Sequence, residues 1–422
     1  MSAHYLLTPV GSAGDVHPFV GIGRALRARG HRVTVFAAEP FRGMVERAGL
    51  EFDWFWSAED YERTAAQPGL WHPVHGYRYL MRHLVPTMPR LYQLVESRYE
   101  PGRTVLVGHT VSFATRMFED RHGAPAATLQ LSPVAFRSDF GQPTLPGGAD
   151  PTPLPRPLKR AFWAALDRFA LDPPVAPALN RWGASLGLAP VRRIFKDWIH
   201  SPRRVIGLFP PWFAPPQPDW PPQLRLTGFP RWDEAGLHPP DRALEEFLAA
   251  GPAPLVFTPG SANRHGAAFF AAALVATRRL GGRALLLTPS RTQVPAELPR
   301  EVHWAPYAPF SVVLPRAAAF IHHGGIGSVA QGLAAGVPQL VMPMSHDQPD
   351  HAARIRRLGV GTWLPPRRFT GARVARALAV LLESPAIRES ARQRAAALHE
   401  DDPVAATCDL LEELVPGGAN GR

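Results

Sequence analysis

Two short stretches of the chain carry residue types that could do chemistry together. In the first, Gly14-Asp15-Val16-His17-Pro18 follows an apolar run at the N-terminus. Carboxylate and imidazole side chains can both accept protons. The same aspartate also suits a helix cap, because Pro18 fits a first helical turn and Asp caps helices well. The second stretch is FIHHGGIGSVAQGLAAGVPQLVMPMSHDQPDHA, residues 320–352. An apolar run ends at His322-His323, two glycines follow, and a helix is predicted from about Ile326. Glycines let the backbone approach an anion, and a helix N-terminus offers it free N–H groups and partial positive charge. The His323 ring then lies within reach of a phosphate oxygen. The next strand ends at Ser345-His346-Asp347-Gln348, which puts a carboxylate and an amide in the same crevice. That pairing suits sugar hydroxyls, which both donate and accept. His346, Asp347, Asp350 and His351 match no common metal-ligand spacing.

The elements that must position these residues alternate. HYLLTPV, a glycine-containing loop, a helix closing at Gly30 and HRVTVFAA make a βαβ unit, and that unit implies a parallel sheet. RTVLVGH, APAATLQLS and RVIGLFP read as further buried strands, and residues 156–200 as amphipathic helix. Residues 210–222 then hold seven prolines, too stiff and extended for a helix. A second alternation follows: strands at APLVFTPG, RALLLTPS, EVHWAP, AAAFIHH and PQLVMPM, with helices between and after them. The expected fold class is α/β, two Rossmann-like doubly wound domains facing a cleft, with ligands at the carboxyl ends of the strands. The expected division is 1–209, a linker at 210–222, a second domain at 223–398, and a C-terminal helix and tail at 399–422.

His-Gly-Gly-Ile-Gly-Ser at 323–328, then Gly-Val-Pro at 336–338 and His-Asp-Gln at 346–348, resembles the donor signature of inverting GT-B glycosyltransferases of the UDP-glycosyltransferase type. The resemblance covers essentially the whole chain. It implies the GT-B fold, an acceptor-binding N-terminal domain and a nucleotide-sugar-binding C-terminal one. It also implies no resident cofactor or metal, only a nucleotide-sugar co-substrate, dTDP-L-rhamnose or a UDP-sugar. Tyr307-Ala308-Pro309-Phe310 resembles the element whose aromatic ring stacks on the base, and Trp304 nearby is second choice. Thr258-Pro259-Gly260-Ser261 is similar to the Gly-Ser that meets the diphosphate. The resemblance implies Asp15, on the Gly-Asp-x-x-Pro element after the first strand, as the catalytic base that faces the cleft and takes the proton from an acceptor hydroxyl, with His17 as the alternative base. It implies Ser12, Ser261, Tyr307, Trp304, His323, Gly325, Gly327, Ser328, Asp347 and Gln348 as the nucleotide-sugar site. Two residues depart from the pattern. Phe310 replaces a glutamine, and Gln331 replaces a glutamate that holds both ribose hydroxyls. A glutamine can accept only one side of such a pair, and a thymidine nucleotide lacks the 2′-hydroxyl, so the change favours dTDP. His109 stands where relatives with a histidine base carry an acid that orients it, and an aspartate base needs no such partner.

Four segments, GSAGDVHPFVGIGRALRARGHRV, RRIFKDWIHSP, LFPPWFAPPQPDWPPQLRLTGFP and PMSHDQPDHAARIRRLGVG, resemble the catalytic rhamnosyltransferases that make mono-rhamnolipids. That family moves L-rhamnose from dTDP-L-rhamnose to a 3-(3-hydroxyalkanoyloxy)alkanoate. The aromatic-rich block at residues 54–92 suits such a lipid-like, amphipathic acceptor. Two readings stay open beside it: a UDP-sugar-dependent enzyme acting on another lipophilic natural product, and a non-catalytic glycosyltransferase-like auxiliary protein.

Composition narrows the rest. The chain has 422 residues and one cysteine, Cys408, which excludes a disulfide framework and any Cys-based zinc or iron–sulfur site. The net charge of +11 comes almost wholly from scattered arginines, none in a run interleaved with aromatics, so no nucleic-acid partner is expected. A basic surface does suit anionic substrates or the inner face of a membrane. The opening residues lack a basic signal-peptide region and no apolar run reaches 18 residues, which points to a soluble cytoplasmic protein.

Overall fold

The computed structural model describes residues 2–141, 143–145 and 153–415. Parts of the C-terminal tail expected from the sequence lie outside these residues. Two all-parallel sheets organise the chain. The first contains β1 (His4–Thr8), β2 (Arg32–Ala38), β3 (Glu51–Trp56), β4 (Thr104–His109), β5 (Ala126–Gln130), β6 (Arg204–Gly207) and β7 (Leu224–Leu226), in the order β3-β2-β1-β4-β5-β6-β7. The second contains β8 (Leu255–Thr258), β9 (Ala284–Leu287), β10 (Val302–Ala305), β11 (Ala319–His322), β12 (Gln339–Val341) and β13 (Gly361–Trp363), in the order β10-β9-β8-β11-β12-β13.

The central strands β1, β5, β8 and β11 are buried at every residue. A strand covered by helices on both faces needs apolar side chains in succession, which is why these segments stand out as continuous runs. In each sheet the order reverses beside its first strand, between β1 and β4 and between β8 and β11. Segments leaving the strand ends diverge at such a point and open a crevice. The segments after β1, β8 and β11 carry Asp15, Ser261 and His323, and β4 ends at His109. Topology alone therefore gathers these four.

Three features differ from the sequence expectation. The first helix spans Ala13–Ala28, so most of the stretch expected as a loop is helical and Pro18 lies inside it. Ser12, not Asp15, is the N-cap. Leu224 pairs with Val205, so β7 joins the first sheet after the proline-rich stretch, and the chain crosses to the second sheet only beyond residue 226. Seven prolines prevent a helical β6–β7 connection, and it runs as irregular chain instead.

The last described helix, Pro403–Glu412, returns to the first domain. Arg29 Nη1 meets Asp409 at 2.6 Å and Glu412 at 2.8 Å, and Cys408 is buried. The apolar core of the first domain continues into the helices Ile326–Ala334 and Gln348–Arg357 of the second.

Candidate active site

A cavity of about 1240 Å³ lies at the carboxyl ends of both sheets, more than one drug-sized ligand fills. Its wall in the first domain is built around Asp15. Gly11 takes φ +138°, and a Cβ there would sit 2.2 Å from Asp15 Oδ2. The glycine thus makes room for the carboxylate as well as for the turn. Asp15 occupies the third position of the helix. Its Oδ2 accepts hydrogen bonds from the Ser12 N–H at 2.7 Å and the Ser12 hydroxyl at 3.0 Å. One carboxylate oxygen is therefore held by the helix start, as in the acidic half of a capping box. The other, Oδ1, faces His109 Nε2 at 3.9 Å.

Burial pushes the Asp15 carboxyl up to about 6. The Ser12 N–H opposes that rise, and the charge of Asp347 across the cleft adds to it. Asp15 is thus ionised, and basic, at neutral pH. Burial holds His109 down to about 4, so its ring is neutral. The Val111 N–H points at His109 Nδ1 at 3.5 Å, which leaves the ring proton on Nε2, toward Asp15. The aspartate base expected to need no partner has a neighbour: in this chain the carboxylate is in the first turn of the first helix and the imidazole ends β4. His17, the alternative base, turns to Glu234 at 3.6 Å.

The wall in the second domain is a backbone site. The helix Ile326–Ala334 starts at the N-cap Gly325, so the N–H groups of Ile326, Gly327 and Ser328 have no partner within the helix. His323 stands beside them. An added Cβ at Gly260 (φ +95°) or at Gly325 would lie within 2.7 Å of its ring, so the imidazole is clasped between two glycines. Burial holds it down to about 4, and its buried Nδ1 has no partner among the described residues. A neutral ring with one free nitrogen beside free N–H groups suits a phosphate oxygen. Gly327 approaches Gly14 across the cleft, where an added Cβ would lie 3.6 Å from the Gly14 Cα. The starts of the two helices thus face each other.

Ser261, Gly325, Gly327, Ser328, Asp347 and Gln348 all line the cavity. Gln348 Oε1 accepts from the N–H groups of Met344 and Ser345, at 2.8 and 3.2 Å, which fixes the amide and leaves Nε2 for a ligand. His346 holds φ +58°, a strained conformation for a non-glycine residue next to Asp347. Its Nε2 lies 3.1 Å from the Leu70 carbonyl, which ties this loop to the first domain. Tyr307 lines the cavity, and its hydroxyl donates to the Asp233 carbonyl. Trp304, the second choice for the stacking ring, is not among the lining residues; its indole N–H donates to the Thr288 carbonyl at 3.0 Å. Ser12 lines the cavity with its hydroxyl committed to Asp15. Gln331 Nε2 donates one of its two N–H groups to the Arg231 carbonyl at 3.0 Å, and its acceptor is Oε1.

Asp350 pairs with Arg354 at 2.6 Å, and His351 binds the Gly324 carbonyl and Ser132. Among the described residues no group of three or more His, Cys, Asp or Glu could hold a metal ion, and no helix is long and apolar enough to cross a membrane.

Most of the rest of the cavity is apolar, with Arg78 and Arg137 among its charged lining residues. From the aromatic block, Trp56, Tyr61, Trp71, Tyr77, Leu80 and Leu84 line it, whereas Tyr79 and Tyr92 do not. Sequence reasoning missed the opposite wall: Val111, Leu131, Trp163, Phe169, Phe195 and Ile199. Their only signal was apolar periodicity, which core residues share.

Residues 5–84 match the glycosyltransferase family 28 N-terminal domain, and residues 285–413 match the C-terminal domain described as erythromycin biosynthesis protein CIII-like. The chain is 32% identical over 433 residues to the O-mycaminosyltylonolide 6-deoxyallosyltransferase of Streptomyces fradiae, with 96% of each chain covered. It is 27% identical to the 4'-demethylrebeccamycin synthase of Lentzea aerocolonigenes, over 98% of this chain and 100% of that one. Its fold is similar to that of the kitacinnamycin glycosyltransferase, with a TM-score of 0.74, 22% identity and coverage of 99% and 100%. It is also similar to the spinosyn rhamnosyltransferase SpnG complexed with thymidine diphosphate, with a TM-score of 0.68, 18% identity and coverage of 96% and 99%.

Proposed function

The chain belongs to the GT-B glycosyltransferases of the family 28 and erythromycin CIII-like type, and from that premise we propose that it transfers L-rhamnose from dTDP-L-rhamnose, with inversion, to the hydroxyl of a large apolar acceptor. The acceptor class we favour is a 3-(3-hydroxyalkanoyloxy)alkanoate or a similarly amphipathic alcohol. One observation carries the reading. A single cavity joins a half-buried basic carboxylate, an anion-binding helix start and a long apolar arm.

Asp15 Oδ1 takes the proton from the acceptor hydroxyl as its oxygen attacks the anomeric carbon. The bond from that carbon to the diphosphate breaks on the opposite side. The charge left on the diphosphate is received by Ser261, His323 and the N–H groups of residues 326–328. Asp347 and the free Nε2 of Gln348 orient the sugar, and Tyr307 packs on the base. Gln331 offers ribose one acceptor oxygen where a carboxylate would offer two, which favours a deoxyribose nucleotide. A relative named a 6-deoxyallosyltransferase and a structural neighbour named a rhamnosyltransferase, complexed with thymidine diphosphate, fit the donor assignment.

The names of the tylonolide and rebeccamycin relatives favour a second reading of the acceptor, a rigid polycyclic or macrolide natural product. A panel of dTDP- and UDP-sugars against hydroxyacyl, macrolide, phenolic and free-sugar acceptors, read by mass spectrometry, decides. We expect dTDP-L-rhamnose and hydroxyacyl acceptors to be best. Preference for UDP-glucose would defeat the donor assignment, preference for a macrolide would move the acceptor assignment to the second reading, and preference for free sugars would defeat the apolar-acceptor reading.

A further inference from the structure

Val74 and Phe169 line the cavity and are nevertheless 65% and 75% exposed, so the apolar arm opens to solvent between them. The exposed apolar surface does not stop there. Phe169 follows the helix Arg156–Leu166 directly. Leu158, Ala161, Phe162, Ala165 and Phe169 recur at helical spacing, and all but the half-buried Phe162 are exposed. Phe140 and Leu154 extend the same region, each 38% exposed. Five of the seven large hydrophobic residues most exposed in the described chain therefore lie around one opening, a concentration that marks an interaction surface rather than scatter.

The cations in this region are arranged with it. Arg156 sits over the Phe140 ring at 3.8 Å and Arg168 over Phe169 at 5.7 Å. Arg78 is exposed at the opening beside Val74. None of the three has a carboxylate partner among the described residues, whereas Arg160 is paired with Asp139 and Arg137 with Asp167. Exposed apolar side chains fringed by unpaired guanidinium groups complement a layer that is anionic outside and apolar just beneath, which is the surface of a bilayer. A second copy of the chain fits less well, since a two-fold contact through this face would set arginine against arginine.

We propose that this face, centred on Leu158 and Phe169, docks on a bilayer containing anionic lipid and opens the apolar arm of the cavity toward it. An apolar acceptor then enters from the lipid without crossing water. That delivery rests on the glycosyltransferase reading; the docking itself does not.

The test is co-sedimentation of the full chain with phosphatidylcholine vesicles, with and without phosphatidylglycerol. We expect at least ten-fold tighter binding to the anionic vesicles, weakening as salt is raised. Arg156→Glu with Leu158→Glu should cut that binding at least ten-fold. It should leave transfer to a short, water-soluble acceptor unchanged, since neither residue lines the cavity. Should that variant fold poorly by circular dichroism, Arg156→Gln with Arg168→Gln keeps the apolar face and should lose the anionic preference alone. Absent binding, equal binding to both vesicle types, or variants without effect overturns the proposal. So does a dimer that the same substitutions dissolve. Vesicle binding is read without catalysis, so a failure of the glycosyltransferase reading would leave this result intact and distinguishable.

Discussion

Replacing Asp15 by Asn should move activity and stability in opposite directions. The structure holds this carboxyl at about 6 against an ordinary value of 3.8, chiefly through burial. A native-state value raised by that much corresponds to about 3 kcal/mol favouring the protonated form. The side chain keeps 30% of its exposure toward the cleft, so water screens part of this, and about 1–3 kcal/mol is the reasonable range. The native state is thus destabilised as Asp15 ionises. The penalty is absent below about pH 4, grows through about pH 6 and is complete above it. Asparagine stays neutral and can still accept from the Ser12 N–H, so it escapes the penalty. Asp15→Asn should therefore resist urea more than the wild type at pH 8, by about 1–3 kcal/mol, with the advantage gone at pH 4. Turnover should fall by roughly 10²–10⁴, the range for losing a general base. The wild type's own activity should fall on the acid side of about pH 6. A variant with full activity refutes the assignment of the base. A variant less stable than the wild type at pH 8 refutes the desolvation reasoning, whatever its activity.

Three further substitutions separate roles that the geometry overlays. Ser12→Ala removes one of the two hydrogen bonds holding Asp15 in its charged form, so the acid limb of the pH–activity profile should move upward with donor KM unchanged. A raised KM with an unmoved profile would mean that Ser12 acts on the donor instead. His323→Ala should weaken thymidine diphosphate about ten-fold or more, because a hydrogen bond to a charged group is worth about 1.5–3 kcal/mol. Calorimetry with unchanged affinity would sink that role. Gln331→Glu restores an acceptor for paired hydroxyls and should shift preference toward UDP-sugars by roughly ten-fold. An unmoved ratio would place the donor choice elsewhere.

Legibility in the sequence followed the physics of each part. The central strands could be read because a strand covered on both faces must be apolar throughout. β3 could not, since Glu51, Phe52, Asp53 and Trp54 keep partial exposure at an edge and mix polar with aromatic. β7 is three residues long with none buried, and only its pairing with β6 makes it a strand. The helix start was misplaced because Pro18 is a strong local signal, whereas the helix begins where Ser12 and Asp15 exchange hydrogen bonds, which is a three-dimensional fact. His109 was legible through the resemblance as standing where relatives carry the acid that orients their base, but not as a neutral ring turning its proton toward Asp15, which shows only once β1 and β4 pair.

The two halves of the site differ in legibility for a chemical reason. In the proposed donor site a diphosphate would be held by backbone N–H groups, and the glycines at 324, 325 and 327 let that backbone come close where side chains would stand in the way. A ring wedged between Gly260 and Gly325 tolerates no Cβ on either side, and a hydrogen-bonding imidazole has no apolar substitute. Such constraints leave residue types that a reader can find. The apolar arm has no such constraint. Trp163, Phe195 and Ile199 face a cavity through the same dispersion and hydrophobic contacts that hold Phe113 or Leu129 in the core, so nothing in their identity distinguishes the two. What does distinguish the arm is exposure at its mouth. Phe169 is an aromatic residue that the fold declines to bury, and only coordinates could show it.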